Sequence, residues 1–477
     1  MVLNVINHPY EFDMKNLCTI FFPYEKIKMQ GSEEIVITTK KNGSCLTVDA
    51  VVYDKRLCKN FKLVSGEDEQ TAMSALLYDV LSDILEFKPP WGILFGVRPA
   101  KLMHRFVEQM GEEKARAYFI NDFLATPEKT NLAIEVMKHE NQIISLSGEN
   151  SFSLYVSIPF CPTRCSYCSF VSHSIERTKA LVSPYVELLC KELKSIAQVA
   201  KNLSLRLETV YFGGGTPTTL NSNQLYTILK TIEENFDLSN VREYTVEAGR
   251  PDTVTEEKLL TLKSAGVSRI SINPQSFNDE VLEAIGRRHT AKQTIDAYNL
   301  AVKSGFDNIN MDFIAGLPKD NLDSFRNSID TAVNLGAKSV TVHTLALKSG
   351  AYMVTKDLTF DLSDRITTSD MVDYSYNKLS SSGYYPYYMY RQSKSLGNLE
   401  NVGWCKPSKD CLYNVYMMDE THSVFSAGAG AVTRLKAQKS GKIDRIYNFK
   451  YPYEYIDRFE EILNRKESIY DFYSKYK

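Results

Sequence analysis

From residue 151 onward the chain alternates short β-rich runs with helix-length amphipathic segments, and this rhythm restricts its fold more than any other feature. The runs are LYVSIP, LETVYFGGG, EYTVEAG, RISINPQS, NINMDFIAG and SVTVHTLAL, with segments such as SPYVELLCKELKSIAQVA between them. Six βα units in succession predict a parallel sheet, because parallel neighbours need a crossover and a helix supplies it. Right-handed crossovers curl such a sheet toward a barrel and bring ligand-binding residues to the C-terminal ends of its strands. The block before residue 150 is of another kind. EEIVITTKK and SCLTVDAVVYDK meet at Asn42-Gly43, a pair suited to a two-residue hairpin turn. EQTAMSALLYDVLSDILEF and PAKLMHRFVEQM follow with apolar residues at helical spacing. With SLSGENS as the boundary, the expected organisation is an N-terminal α+β accessory domain over 1–150, an α/β unit over 151–360 and a substrate-covering α+β extension over 361–477.

The segment CPTRCSYC, residues 161–168, follows the first strand of the α/β unit and spaces three cysteines as CxxxCxxC. The meaning of such a cluster depends on compartment. The N-terminal stretch MVLNVINHPYEFDMKN carries acids early and no apolar run of signal-peptide length, and no later window suits a membrane span. The expectation is a cytoplasmic protein whose nine cysteines form no disulfide framework, so that a tight cluster of them points to metal or redox chemistry. A net charge of -2 gives no whole-chain argument for nucleic acid or an anionic membrane. A structural zinc site needs a fourth ligand, for which His173 is the nearest candidate. Three thiolates on a [4Fe-4S] cluster instead leave one iron open, and an open position is useful where a small molecule is to be activated.

The arrangement closely resembles the radical S-adenosylmethionine (SAM) superfamily, whose defining CxxxCxxC motif lies after the first strand of a partial (β/α)6 barrel. That resemblance implies Cys161, Cys165 and Cys168 as ligands of a [4Fe-4S] cluster whose open iron is chelated by SAM. It also implies reductive cleavage of SAM to a 5'-deoxyadenosyl radical. GGGTP at 213–217 ends the second strand, where glycines let backbone approach a ligand. A tight structural turn is the equal alternative. Glu247 ends the third strand, Gln275 follows the fourth, and Asp312 lies in the fifth, where a buried acid needs a partner.

These segments, with RISINPQSFNDEVLEAIGRRHT, narrow the resemblance to the oxygen-independent coproporphyrinogen III oxidase family over about residues 152–350, and to FSAGAGAVTR more weakly. FGVRPAKLMH and YMYRQSKSLGNLENVGWCKPSKDCLYN extend it to the longer Bacillus-type branch. By position, the family's cofactor contacts fall on Tyr155, Tyr167, Gly214, Gly215, Thr216, Glu247, Gln275, Arg287 and Asp312. The implied reaction is oxidative decarboxylation of two propionates of coproporphyrinogen III to vinyl groups, giving protoporphyrinogen IX in heme biosynthesis. The implied partners are the tetrapyrrole substrate and a reductant protein such as flavodoxin or ferredoxin. A tetra-acid macrocycle asks for guanidinium groups and aromatic surface. Arg287, Arg288 and Arg391 are candidates for the first, although Arg287 cannot fully serve both SAM and propionate; GYYPYYMYRQ is a candidate for the second, with packing the commoner use of such a run.

Departures from the family pattern stand beside the resemblance. Ser157 replaces a His two residues after Tyr155, and Ser169 with Phe170 replaces the cysteine after the third ligand. The related heme-chaperone branch carries His-Asn-x-x-Tyr-Trp, of which LENVGW keeps only Trp404. Cys405 and Cys411 are too few for an auxiliary cluster and read as free thiols; His289 and His343 read as satisfied polar residues, with His289 placed to meet substrate acids. Two other readings remain: a radical SAM methyltransferase or ring-opening enzyme acting on a tetrapyrrole, and a non-catalytic heme-binding or trafficking protein.

Overall fold

A computed structural model describes residues 1–96, 98–170, 173–348, 351–355, 360–392 and 394–476, which form two compact units. The first comprises Met1–Met137 with the returning segments Thr359–Ser369 and Met389–Glu400. Its sheet runs in the order β1 (Val2–Ile6), β2 (Ile35–Asn42), β3 (Cys45–Val52) and β4 (Lys55–Lys62). β1 is parallel to β2, and the remaining pairs are antiparallel. The expected hairpin is present one residue further along: Asn42 pairs with Cys45, leaving Gly43-Ser44 as the turn, with Gly43 at φ +57°. Leu46, Val48, Ala50 and Val52 alternate inward from β3. They share a core with Met14 and Phe21 of the helix Glu11–Phe21 and with Leu77 and Leu81 of the helix Glu69–Leu85. Each of these side chains larger than alanine contributes about 1.5–3 kcal/mol when taken from water. The returning segment is held by charge: buried Glu400 accepts from Trp91 Nε1 at 2.7 Å and from Lys129 Nζ at 2.8 Å.

The second unit holds the βα alternation. Its strands are β5 (Ser151–Ile158), the short pair β6 (Phe160–Cys161) and β7 (His173–Ser174), β8 (Arg206–Gly214), β9 (Glu243–Glu247), β10 (Arg269–Ser271), β11 (Asn308–Ala315), β12 (Ser339–Thr344), β13 (Tyr385–Arg391) and β14 (Glu400–Cys405), of which Met389–Arg391 and Glu400 belong to the first unit's returning segment, and β15 (Ser423–Ala427), β16 (Val432–Lys436) and β17 (Ile443–Tyr447). The main sheet runs β13-β14-β12-β11-β10-β9-β8-β5-β15-β16-β17. Its six central strands are those of the alternation, side by side in chain order and all parallel. This is the parallel α/β arrangement that the alternation predicts. The sheet also continues past both ends of the six, by antiparallel β14 beside β12 and by parallel β15 beside β5. β10 is shorter than RISINPQS suggests, because Pro274 has no N–H for the ladder and Gln275 turns to φ +69°.

The 28-residue helix Ile175–Asn202 fastens this sheet to the C-terminal segment through one buried carboxylate. Glu192 accepts from the Gly428 N–H at 2.8 Å, Tyr455 OH at 2.7 Å and Asn448 Nδ2 at 2.7 Å, and lies 3.1 Å from Lys466 Nζ. Both charges are fully buried. Replacing Glu192 by Ala strands the ammonium and unties the loop after β15, so we expect a loss of about 3–5 kcal/mol, read as a lower midpoint in urea unfolding of the second unit.

Candidate functional site

The ends of β5 and β8 meet where the cysteine segment begins. Gly215 N–H donates to the Ile158 carbonyl at 2.7 Å and Thr216 N–H to the Phe160 carbonyl at 2.8 Å, while Thr216 Oγ1 donates to Cys161 Sγ at 3.5 Å. A Cβ at Gly215 would lie 2.6 Å from the Phe160 oxygen and 3.0 Å from Cys161 Sγ. Gly214 adopts φ +104°, and a Cβ there would stand 2.9 Å from Ser157 Oγ. The glycines are therefore required by chain-to-chain approach. The N–H groups of Gly215 and Thr216 are donated to the Ile158 and Phe160 carbonyls, so neither is free to meet a ligand, and the Thr216 carbonyl accepts from Thr219 N–H at 2.9 Å. Ser157 donates to the Ala429 carbonyl at 2.8 Å, which ties its departure from the family's His to the loop after β15.

The loop itself is pinned by main chain. Cys168 N–H donates to the Cys165 carbonyl at 3.2 Å, Ser166 N–H to Ile285 at 3.0 Å, and Met353 N–H to Ser166 at 3.0 Å. Cys165 is buried, whereas Cys161 and Cys168 are partly exposed. Burial pushes the Cys168 thiol up to about 11, so binding a metal there must displace a proton. Among the described residues, no group of three His, Cys, Asp or Glu side chains is arranged around a single metal ion. The donor set is nevertheless all thiol, which suits iron and sulfide.

Two buried guanidinium groups stand over this loop. Arg287 donates to the Asn273 carbonyl at 2.6 Å and to Tyr167 OH at 3.2 Å. Burial opposes its charge, but Tyr167 and Cys165 hold it strongly protonated. Arg250, which the sequence reading passed over, donates to Thr163 Oγ1 at 3.0 Å and approaches Cys165 Sγ at 4.0 Å. Its signal was present: an Arg with an Asp two residues on, directly after a strand end that already carries Glu247. Between these arginines lies His289, buried with neither ring nitrogen partnered and pushed down to about 3 by burial and the two cations. It is thus a neutral imidazole rather than the satisfied residue expected from sequence.

The next strand ends carry the carboxylates. Glu247 accepts from Tyr211 OH at 2.6 Å, and Tyr155, Tyr211 and Tyr413 stack beside it with centroids 4.5–6.2 Å apart. Burial pushes Glu247 up to about 7; the Tyr211 hydrogen bond opposes the rise and the Asp312 charge adds to it. Asp312 has the partners its burial demands: Asn310 Nδ2 at 2.7 Å and His343 Nε2 at 3.9 Å. Burial opposes its ionisation, but His343, Asn310 and Thr341 outweigh it and hold the carboxyl below the ordinary range. Gln275 joins β11 by donating its N–H to the Asp312 carbonyl at 2.9 Å, and its buried Oε1 has no partner. With Asn273 Oδ1, Arg287 Nε and both nitrogens of His289, this makes a row of buried, unpaired polar atoms around the strand ends. Such atoms are costly unless a ligand or water completes them. Tyr413 arrives from far along the chain, and nothing local in the sequence announces it.

Other candidates lie elsewhere. Arg391 is buried in the first unit, donating to the carbonyls of Leu94 at 2.8 Å and Asn398 at 3.1 Å with its guanidinium over the Trp91 ring. These bonds occupy both Nη groups and leave only its buried Nε without a partner. Arg288 is 72% exposed, 3.9 Å from Glu176. In the tyrosine run, Tyr385 hydrogen-bonds Asp410 and stacks on His139, and Tyr387 is buried against Tyr388. Cys405 and Cys411 are protonated thiols donating to Asp410 and Glu243.

Residues 155–332 match the model of the radical SAM superfamily. The oxygen-independent coproporphyrinogen-III oxidase-like protein HemZ of Bacillus subtilis is 39% identical over 79% of this chain and 76% of its own length. The heme chaperone HemW of the same organism is 32% identical over 58% and 70%. The solved structure of coproporphyrinogen III oxidase (HemN) from Escherichia coli, described as a radical SAM enzyme, superposes with a TM-score of 0.53 at 23% identity, covering 67% of this chain and 71% of that one.

Cys165→Ala removes the buried thiol of the loop without touching either glycine contact. We expect the purified, iron- and sulfide-treated variant to lack bound iron while unfolding as the wild type does; full iron content would remove Cys165 from the ligand set.

Proposed function

We propose that this chain, which belongs to the radical SAM superfamily and within it to the oxygen-independent coproporphyrinogen-III oxidase-like family, catalyses oxidative decarboxylation of coproporphyrinogen III to protoporphyrinogen IX. The cofactors of that superfamily are a [4Fe-4S] cluster and SAM. Bound at these strand ends, they supply one-electron radical chemistry that protein side chains cannot. The observation that carries the reading is the 39% likeness to HemZ along most of both chains, joined to a loop of three thiols fixed beside buried, unpaired polar atoms.

In this proposal Cys161, Cys165 and Cys168 hold the cluster, and the remaining residues hold SAM. The amino group of SAM needs acceptors, and in this proposal it meets the Gly214-Gly215-Thr216 turn through the carbonyls of the two glycines, since that of Thr216 already accepts from Thr219 N–H. Its carboxylate suits Arg287, whose Nε has no protein partner. Hydroxyls of the ribose suit Glu247, Gln275 and Asp312, which end or adjoin three successive strands. Tyr155 and Tyr167 give the site apolar walls, and their burial keeps both phenols protonated. The protein's contribution is to fix these groups before the substrate arrives and to exclude water from the radical. A low-potential reductant protein and a tetrapyrrole complete the proposed partners, and the cytoplasm is the proposed compartment. Among the described residues no helix is long and apolar enough to cross a membrane.

The HemW likeness makes heme carriage the second reading. Reduced, cluster-loaded protein incubated anaerobically with SAM and coproporphyrinogen III decides between the two. We expect 5'-deoxyadenosine to accumulate in step with loss of two CO2 from the tetrapyrrole. Tight heme binding without deoxyadenosine would replace the oxidase reading by the chaperone one, and deoxyadenosine without decarboxylation would discard this substrate.

Glu247 adds a pH signature. Its carboxylate form accepts from a ribose hydroxyl, and that form prevails only above about 7 because burial raises the group. SAM affinity should therefore fall as pH drops through neutrality. Tyr211→Phe deletes the donor that favours the carboxylate, so the midpoint should move upward; equilibrium dialysis with SAM across neutral pH reads both, and a flat profile would take Glu247 out of the site.

A further inference from the structure

We infer that Arg250, oriented by Asp252, is a positioning residue that acts through Cys165 to set the reduction potential of the bound cluster. The inference rests on Cys165 being a cluster ligand. Arg250 is only 3% exposed, and every polar edge of its guanidinium is assigned. Nε and Nη2 form a bidentate pair with Asp252 Oδ1 and Oδ2 at 2.9 and 2.8 Å, and Nη1 reaches Thr163 Oγ1 at 3.0 Å and Cys165 Sγ at 4.0 Å. Thr163 in turn donates to the Gly286 carbonyl at 3.3 Å, which anchors the contact to the segment carrying Arg287. The planar fork has one way to satisfy carboxylate and thiol together, and Asp252 selects it.

A purely structural ion pair would not need its cation at a thiol. Burial of a guanidinium is tolerated when it is paired, and Asp252 alone provides the pair. The third nitrogen is left for the loop, where a thiolate can accept an N–H bond. Hydrogen bonds to sulfur and net local charge are among the protein's means of moving an iron-sulfur potential. Reduction adds one electron from a low-potential donor to the cluster and no proton need follow. A fixed cation at the ligand favours the reduced form, and the nearby carboxylate offsets part of that effect. The two members of the pair therefore act with opposite signs.

The test is an EPR-monitored redox titration of the full-length, cluster-loaded protein with iron and sulfide counted in each variant. For Arg250→Gln we expect full iron and a ratio of reduced to oxidised cluster about tenfold lower at a given applied potential, equivalent to about 59 mV downward for one electron. Asp252→Asn should shift the midpoint upward, and Arg250→Lys should fall between wild type and Arg250→Gln. An unchanged midpoint in a fully loaded Arg250→Gln, or the same direction of shift in Arg250→Gln and Asp252→Asn, overturns the inference. Should Arg250→Gln lose iron, Asp252→Asn decides alone: an upward midpoint supports the role and an unmoved one ends it. Full iron in Cys165→Ala would instead overturn the ligand assignment beneath it, a separate failure.

Discussion

The candidate site hangs from the passage of residues 213–216 against the chain from Ile158 to Cys161. Two main-chain hydrogen bonds join them, and a Cβ at Gly215 would drive into the Phe160 carbonyl. Parallel strands make this approach possible, since both chains leave their strands in the same direction at the same rim. The loop that leaves β5 cannot be displaced without breaking the turn that leaves β8. Its other fastenings, at Ile285 and Met353, come from later strand-to-helix connections, so the position of three thiols is determined by the sheet rather than by the loop's own eight residues.

Once the loop is fixed, charge sorts the residues around it. Arg250 and Arg287 lie at the thiols, whereas Glu247 and Asp312 lie at strand ends further along the sheet. The two carboxyls separate in behaviour because their neighbours differ. Asp312 has an imidazole and an amide bonded to it to hold its charge, while for Glu247 burial and the repulsion of Asp312 outweigh one phenol hydrogen bond and the more distant charges of Arg269 and His343. One is therefore ionised throughout the physiological range and the other changes state near neutrality. His289 stays neutral between two cations, so it adds no third positive charge to the cysteine loop.

The central strands and the three cysteines were legible because local pattern decides them: β-branched runs, a helical period between them, and a spacing no ordinary core needs. The strand-end acids could be found by the same logic, since a carboxyl in an apolar run must have a partner. What sequence hid were contacts made across distance. Tyr413 meets Tyr155 and Tyr211 only because the sheet folds a late segment against early strands. β15 pairs with β5 at a separation of some 270 residues, which no window reveals. The surroundings of Arg391 were hidden for the same reason: the sequence offered it as a candidate carboxylate partner, and the carbonyls of Leu94 and Asn398 that take its Nη groups lie far from it or in an irregular segment.

That placement bears on how a tetra-acid would be recognised. Of the three arginines offered by the sequence, Arg391 donates to main-chain carbonyls and Arg287 to Asn273 and Tyr167, each buried with only its Nε unpartnered. Arg288 alone keeps an exposed guanidinium, and its neighbour Glu176 is 3.9 Å away and equally exposed, a pairing worth little in water. A carboxylate from a substrate competes readily with such a partner, because exchange of one solvated acid for another costs little. Under the proposed function, propionate recognition would therefore concentrate at Arg288, while the buried Arg250 and Arg287 stay engaged at the cysteine loop.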